Sequence, residues 1–135
     1  MPCESHAEYE RLKSDLSLEI KMDRKPTVAM ADNARQALEW RKEFNRGGTS
    51  VGVARARQLI NRENLSNSTI LRMYSFFSRH EVDKQAEGFK QGEKGFPSAG
   101  RIAWDLWGGD EGFSWSKRKR NQIMKERNDK SGLRS

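Results

Sequence analysis

The chain has 135 residues and a mass of 15.6 kDa, the size of one domain with polar ends. Only 34% of it is apolar and 33% is charged, with a mean hydropathy of -0.98, so any core is lean. No apolar run approaches the roughly 20 residues of a membrane span, the first thirty residues lack a signal-peptide apolar region, and the single cysteine, Cys3, excludes a disulfide framework or a multi-cysteine zinc site. A reducing, cytosolic setting follows as the expectation.

In chain order, residues 5 to 22 read as an amphipathic helix. Ser5 and Glu8 have capping-box spacing, and Tyr9, Leu12, Leu16 and Ile20 recur at three- and four-residue steps. Pro26 stops it. Residues 1 to 26 thus form an N-terminal helix and linker, 27 to 115 a helical core, and 116 to 135 a basic tail.

A second helix is predicted over 32 to 45, with Ala34, Ala37, Leu38, Trp40 and Phe44 on its apolar stripe and Gly47-Gly48 closing it. Thr49 or Ser50 caps a third, running to about Arg62 with Val51, Val53, Ala54, Ala56, Leu59 and Ile60 inward. A polar turn at Arg62-Glu63-Asn64 leads to Ser66, the expected cap of a helix from Asn67 to about Arg79. Its inner face takes Ile70, Met73, Tyr74, Phe76 and Phe77. Periodicity then fades, and Gly88, Gly92 and Gly95 punctuate a loop at 81 to 97, of a length often tied to function. A last core helix covers Ser98 to Trp107 and ends at Gly108-Gly109. Phe113 and Trp115 are expected to fold back as lids, ahead of a basic helix from Ser114 to about Asn128. With no strand-like alternation anywhere, the fold class is all-α: a small helical bundle with a helix-turn-helix-like pair, a long glycine-rich loop and a basic C-terminal tail.

Charge is unevenly spread. Lys and Arg total 26 against 19 Asp and Glu, a net of +7. Residues 116 to 135 hold eight basic side chains and two acidic ones, so that stretch carries +6 and the rest only +1. A cationic arm attracts polyanions, because each neutralised phosphate releases condensed counterions. Lys117, Arg118, Lys119 and Arg120 are the phosphate-holding candidates; the alternative is a frayed terminus that aids solubility. Trp115 beside them either stacks on bases or packs as a lid.

The segment from Gln58 to Arg72 resembles the helix-turn-helix element of bacterial and phage repressors. Leu65-Ser66-Asn67-Ser68-Thr69-Ile70 supplies the start of a recognition helix, with Asn64 where a glycine is common. The resemblance implies that Asn67, Ser68, Leu71 and Arg72 face the bases of a major groove. Any two packed helices joined by a capped turn share this pattern.

A wider stretch, Arg46-Gly47-Gly48-Thr49 through Ser75-Phe76-Phe77-Ser78-Arg79-His80-Glu81-Val82-Asp83-Lys84 to Pro97-Ser98-Ala99-Gly100-Arg101-Ile102-Ala103-Trp104-Asp105-Leu106-Trp107-Gly108-Gly109-Asp110, resembles a small module carried by phages and prophages, alone or attached to head-morphogenesis and prohead-protease-type proteins. It implies a setting, a bacterial host and its virus, without an assigned chemistry.

Three functions are therefore carried forward. The first is a phage-encoded, non-enzymatic DNA-binding protein of the host cytoplasm, with RNA as the competing nucleic acid. The second is a virion structural or head-assembly protein acting through capsid or host proteins. The third is a metal-dependent nuclease built on His80, Glu81 and Asp83, whose imidazole and carboxylates could hold Mg²⁺ or act as acid and base; the favoured reading of these side chains is that they cap a helix and pair with Lys84 or Arg101, because two carboxylates without a fixed spacing are common in a chain this charged. Cys3 and His6 make half of a zinc site. No P-loop, dinucleotide fingerprint or nucleophile triad is present, and no cofactor is expected.

Overall fold

A computed structural model describes residues 23 to 134, with side chains to residue 128. The helix expected at 5 to 22, with Cys3 and His6, lies outside the described residues. Among those described there are five α-helices, one 3-10 helix and no strand: α1 (Val28–Phe44), α2 (Ser50–Ile60), α3 (Asn67–His80), the 3-10 turn Glu81–Gln85, α4 (Ala99–Leu106) and α5 (Gly109–Arg134). The all-α bundle read from the sequence is the observed fold. None of the described helices is long and apolar enough to cross a membrane.

Caps explain most boundaries. The side-chain oxygens of Thr27, Thr49, Ser66 and Ser98 each accept from the backbone N–H three residues on, satisfying one of the donors a helix start leaves free. Thr27 therefore starts α1 four residues earlier than expected. Asn45, in the left-handed region at φ 50°, caps its end. Gly47 is needed for a different reason. Its φ is +95°, and a Cβ there would stand 2.6 Å from the Cβ of Ile102, so only glycine lets this turn lie against α4.

α1 packs on α2 and α4, α3 packs on α5, and the short α4 touches every other α-helix. Its Ile102, Trp104 and Leu106 are fully buried. Around Trp104 the rings of Phe77, Phe89 and Phe113 stand edge-on, with centroids 4.8 to 6.0 Å away. Such edge-to-face pairs add to the apolar burial that holds α4 in place.

Three expectations change. First, α2 is rotated: Gly52, Arg55, Ala56 and Leu59 face in, while Val51 is 52% exposed and Ala54 is on the surface. Second, Gly108-Gly109 turns the chain between helices but does not isolate a tail. α5 starts at Gly109 and runs unbroken, so Phe113 and Trp115 are core-facing residues of a helix, not lids on a loop. Ser116 and Ile123 on the same helix are buried, so the basic stretch packs on the body as far as residue 123. Third, the connector from 61 to 66 bends at Arg62 (φ 50°), not at Asn64, and Arg62 Nε donates to the Pro26 carbonyl at 2.8 Å.

The loop beyond α3 is tied down. Glu93 accepts from the N–H groups of Gly88 and Lys90, and Phe89 is buried. Arg101 donates to the Phe89 carbonyl at 2.9 Å and lies over the rings of Trp40, Phe89 and Phe96. Arg46 holds the far side through the Gly95 and Pro97 carbonyls. The glycines serve turns within this cover over Trp104.

Candidate functional site

Ser66 starts α3 and the apolar stripe Ile70, Met73, Phe76 and Phe77 presses it onto the core. What remains outward is Ser68, Arg72, Ser75 and Arg79, all exposed and spaced at three- and four-residue steps, hence on one face. This face forms a wall of an open cleft of about 910 Å³. Thr49 and Val51 at the start of α2, Ala103 of α4 with Trp107 just after it, and Arg127 of α5 also line it. Its bottom is apolar, made by Leu71, Phe76 and Trp107, with the last two rings stacked at 4.5 Å. Among the described residues no carboxylate lines it, so Arg72, Arg79 and Arg127 give it a positive rim.

Arg55 adds charge from beneath. It is 7% exposed, and its guanidinium lies over the Trp107 ring at 5.2 Å. One Nη donates to Gln58, while Nε has no partner. Burial, then the nearby Arg72 cation, pull its pKa down from the ordinary arginine value.

The four base-facing candidates do not share one environment. Ser68 and Arg72 are exposed in the cleft wall, and Leu71 is half-buried at its floor. Asn67 sits at the edge, its Oδ1 accepting from Arg24 Nε at 2.9 Å.

The basic run is splayed, because successive residues on a helix point about 100° apart. Lys117 adjoins Tyr74, Ser78 and Glu81. Arg118 adjoins Thr27, Ala29 and Glu111. Lys119 lies over Trp115 at 5.8 Å and Arg120 over Tyr74 at 4.8 Å. They form a girdle around α5, not a single patch. Among the described residues none of the four, nor Arg127, is ion-paired with a carboxylate. Trp115 is 3% exposed, so its ring is not open to a base.

Sequence reasoning missed Arg79 and Arg127. The signal for Arg79 was its place seven residues after Arg72 on the same face. Arg127 needed knowledge that α5 continues straight past Ile123 along α3.

The acidic candidates are dispersed. His80 Nδ1 is 3.1 Å from Asp83 Oδ2, but Glu81 lies in the separate depression beside Lys117. No group of three His, Cys, Asp or Glu side chains able to hold a metal occurs among the described residues. The nearby acids of α4 and α5 already have partners. Asp105 binds Arg101 at 3.2 Å, and Asp110 accepts from Lys84 at 2.7 Å and Trp104 at 3.0 Å. Burial dominates at Asp105 and raises its pKa to about 6 despite Arg101, with Asp110 and Glu111 adding to the rise. At Asp110 burial also works upward, but the bonds from Lys84 and Trp104 hold the net value below the usual carboxylate.

No protein-family model, curated protein or solved structure matches the chain. The site must be judged on its own chemistry.

Proposed function

We propose that this is a phage-encoded, non-enzymatic DNA-binding protein that acts in the host cytoplasm through the outward face of α3. One observation carries the reading: Ser68, Arg72, Ser75 and Arg79 form a continuous exposed polar face, joined by Arg127 from α5, in a cleft that no carboxylate lines among the described residues. Arginine suits both phosphate and the guanine edge, serine suits phosphate, and the half-buried Leu71 suits a thymine methyl. Two further things support it: the helix-turn-helix resemblance around Ser66, and the surplus positive charge of α5, which supplies sequence-independent attraction. The phage setting is supported by the resemblance running from Arg46 to Asp110.

The test is duplex binding by the full chain across a salt series. Affinity should fall steeply between about 50 and 200 mM salt, and the log–log slope should drop by roughly 0.9 for each of Arg72, Arg79 and Arg127 changed to Gln. Tighter binding to a matched RNA would move the assignment to RNA. A chain that ignores duplex near 150 mM salt and co-purifies with capsid components would move it to virion assembly. Cleavage that depends on Mg²⁺ and is lost in His80→Ala would make it a nuclease.

A further inference from the structure

The rim of the cleft suits a polyanion, but its floor does not. A duplex gripped by Arg72, Arg79 and Arg127 can meet Leu71 with a thymine methyl, but it offers no apolar partner to the exposed Val51 or to the edges of Phe76 and Trp107 deeper in the cleft. An apolar floor inside an arginine rim matches an amphipathic helix with acids beside its apolar stripe. We infer that the occupant is the chain's own segment 5 to 22, which docks in the cleft as a helix and competes with nucleic acid for the α3 face. The competition rests on the function proposed above; the docking does not.

Four observations carry this. The chain enters the described body at the right place, since the Arg24 carbonyl accepts from Leu65 N–H at 3.0 Å and Arg24 Nε donates to Asn67. Arg24, two residues after the end of the segment, is therefore held beside the first turn of α3, close to Ser68 in the cleft wall. The length fits as well. Eighteen helical residues span about 27 Å, against about 18 Å from Ser68 to His80 along α3.

The apolar pattern fits the floor, with Tyr9, Leu12, Leu16 and Ile20 on one stripe. Charge then sets the orientation. Glu8, Asp15 and Glu19 lie four, three and seven residues from Leu12, so all three flank the same side of that stripe. A docked helix can turn that edge toward the arginine rim, which has no lining carboxylate among the described residues. Because Arg24 is held at the Ser68 end, the N-terminus of the docked segment would lie toward His80 and Thr49.

The sole cysteine makes this measurable in the full chain. A nitroxide on Cys3 should broaden the amide signals of Thr49, Val51, Arg79 and His80, and the double variant Leu12→Asp/Leu16→Asp should restore them. Unbroadened cleft signals, or broadening centred on another face, would overturn the docking. Broadening that appears only between labelled and unlabelled copies in a mixed sample would also overturn it, by showing a second chain in the cleft.

Adding a duplex then tests competition. Relief of the broadening as DNA binds supports it, as would several-fold tighter DNA binding by the double variant, despite the negative charge added. DNA that binds without relieving the broadening would overturn competition and leave docking intact. A chain that binds no duplex would overturn the nucleic-acid reading and the competition together, while the signals of the DNA-free protein still decide docking.

Discussion

The guanidinium of Arg55, 7% exposed, lies 5.2 Å from the centre of the Trp107 ring; among the described residues its Nε has no partner and no carboxylate is paired with it. A buried cation whose main counterpart is a ring face is costly to desolvate, and its proximity to Arg72 adds repulsion. Arg55→Met keeps the volume and removes the charge, so stability should stay within about 1 kcal/mol or rise. Arg55→Ala should lose about 2 kcal/mol, because the aliphatic stem also packs. Urea unfolding of both variants checks this. A loss above about 2 kcal/mol in Arg55→Met would show that the charge itself holds the fold.

Asp105 should impose a pH dependence of unusual sign. Its pKa is about 6 when folded against 3.8 as the ordinary value, so the folded state holds the proton more tightly. Stability should therefore fall as pH rises from about 4 to about 6 and level off above that. The shift corresponds to about 3 kcal/mol at most. Asp105→Asn cannot ionise, so the stability of this variant relative to wild type should rise across that window. Parallel stability–pH curves for the two proteins would contradict the assignment.

Gly47→Ala should destabilise by about 2 to 3 kcal/mol. The backbone sits at φ +95°, and the new methyl would meet the Ile102 Cβ, an atom that cannot swing aside, and the Ala99 carbonyl oxygen at 3.1 Å. Thermal melting reads the effect directly. An unchanged midpoint would mean that the turn can relax away from α4.

The starts of α2, α3 and α4 were legible because each follows a Thr or Ser cap whose side chain answers a local need of the backbone. The length and helical periodicity of α3 gave most of its inner face, the large Ile70, Met73, Phe76 and Phe77; Tyr74, also expected there, is only half-buried and lies under the Arg120 guanidinium. α2 was less legible: small residues surround its axis, so Val51 and Ala54 looked as suitable for the interior as Gly52, and nothing local marks Arg55 as buried. Gly108-Gly109 reads as a helix stop in isolation. In the fold Gly109 instead begins α5, at φ +68°, against Asn33 and Asp105. The cleft depends on that misread junction, because only a continuous α5 brings Arg127 beside Ser68 and Arg72.

The central claim is that nucleic acid is gripped by one side of the molecule, the outward face of α3 with Arg127. The most direct measurement is an amide chemical-shift titration of the full chain with a short duplex near 150 mM salt. The largest shifts should fall on Ser68, Leu71, Arg72, Ser75, Arg79 and Arg127, with smaller ones at Lys117 and Arg118. Shifts confined to the girdle at 117 to 120, or no shifts at saturating duplex, would contradict it.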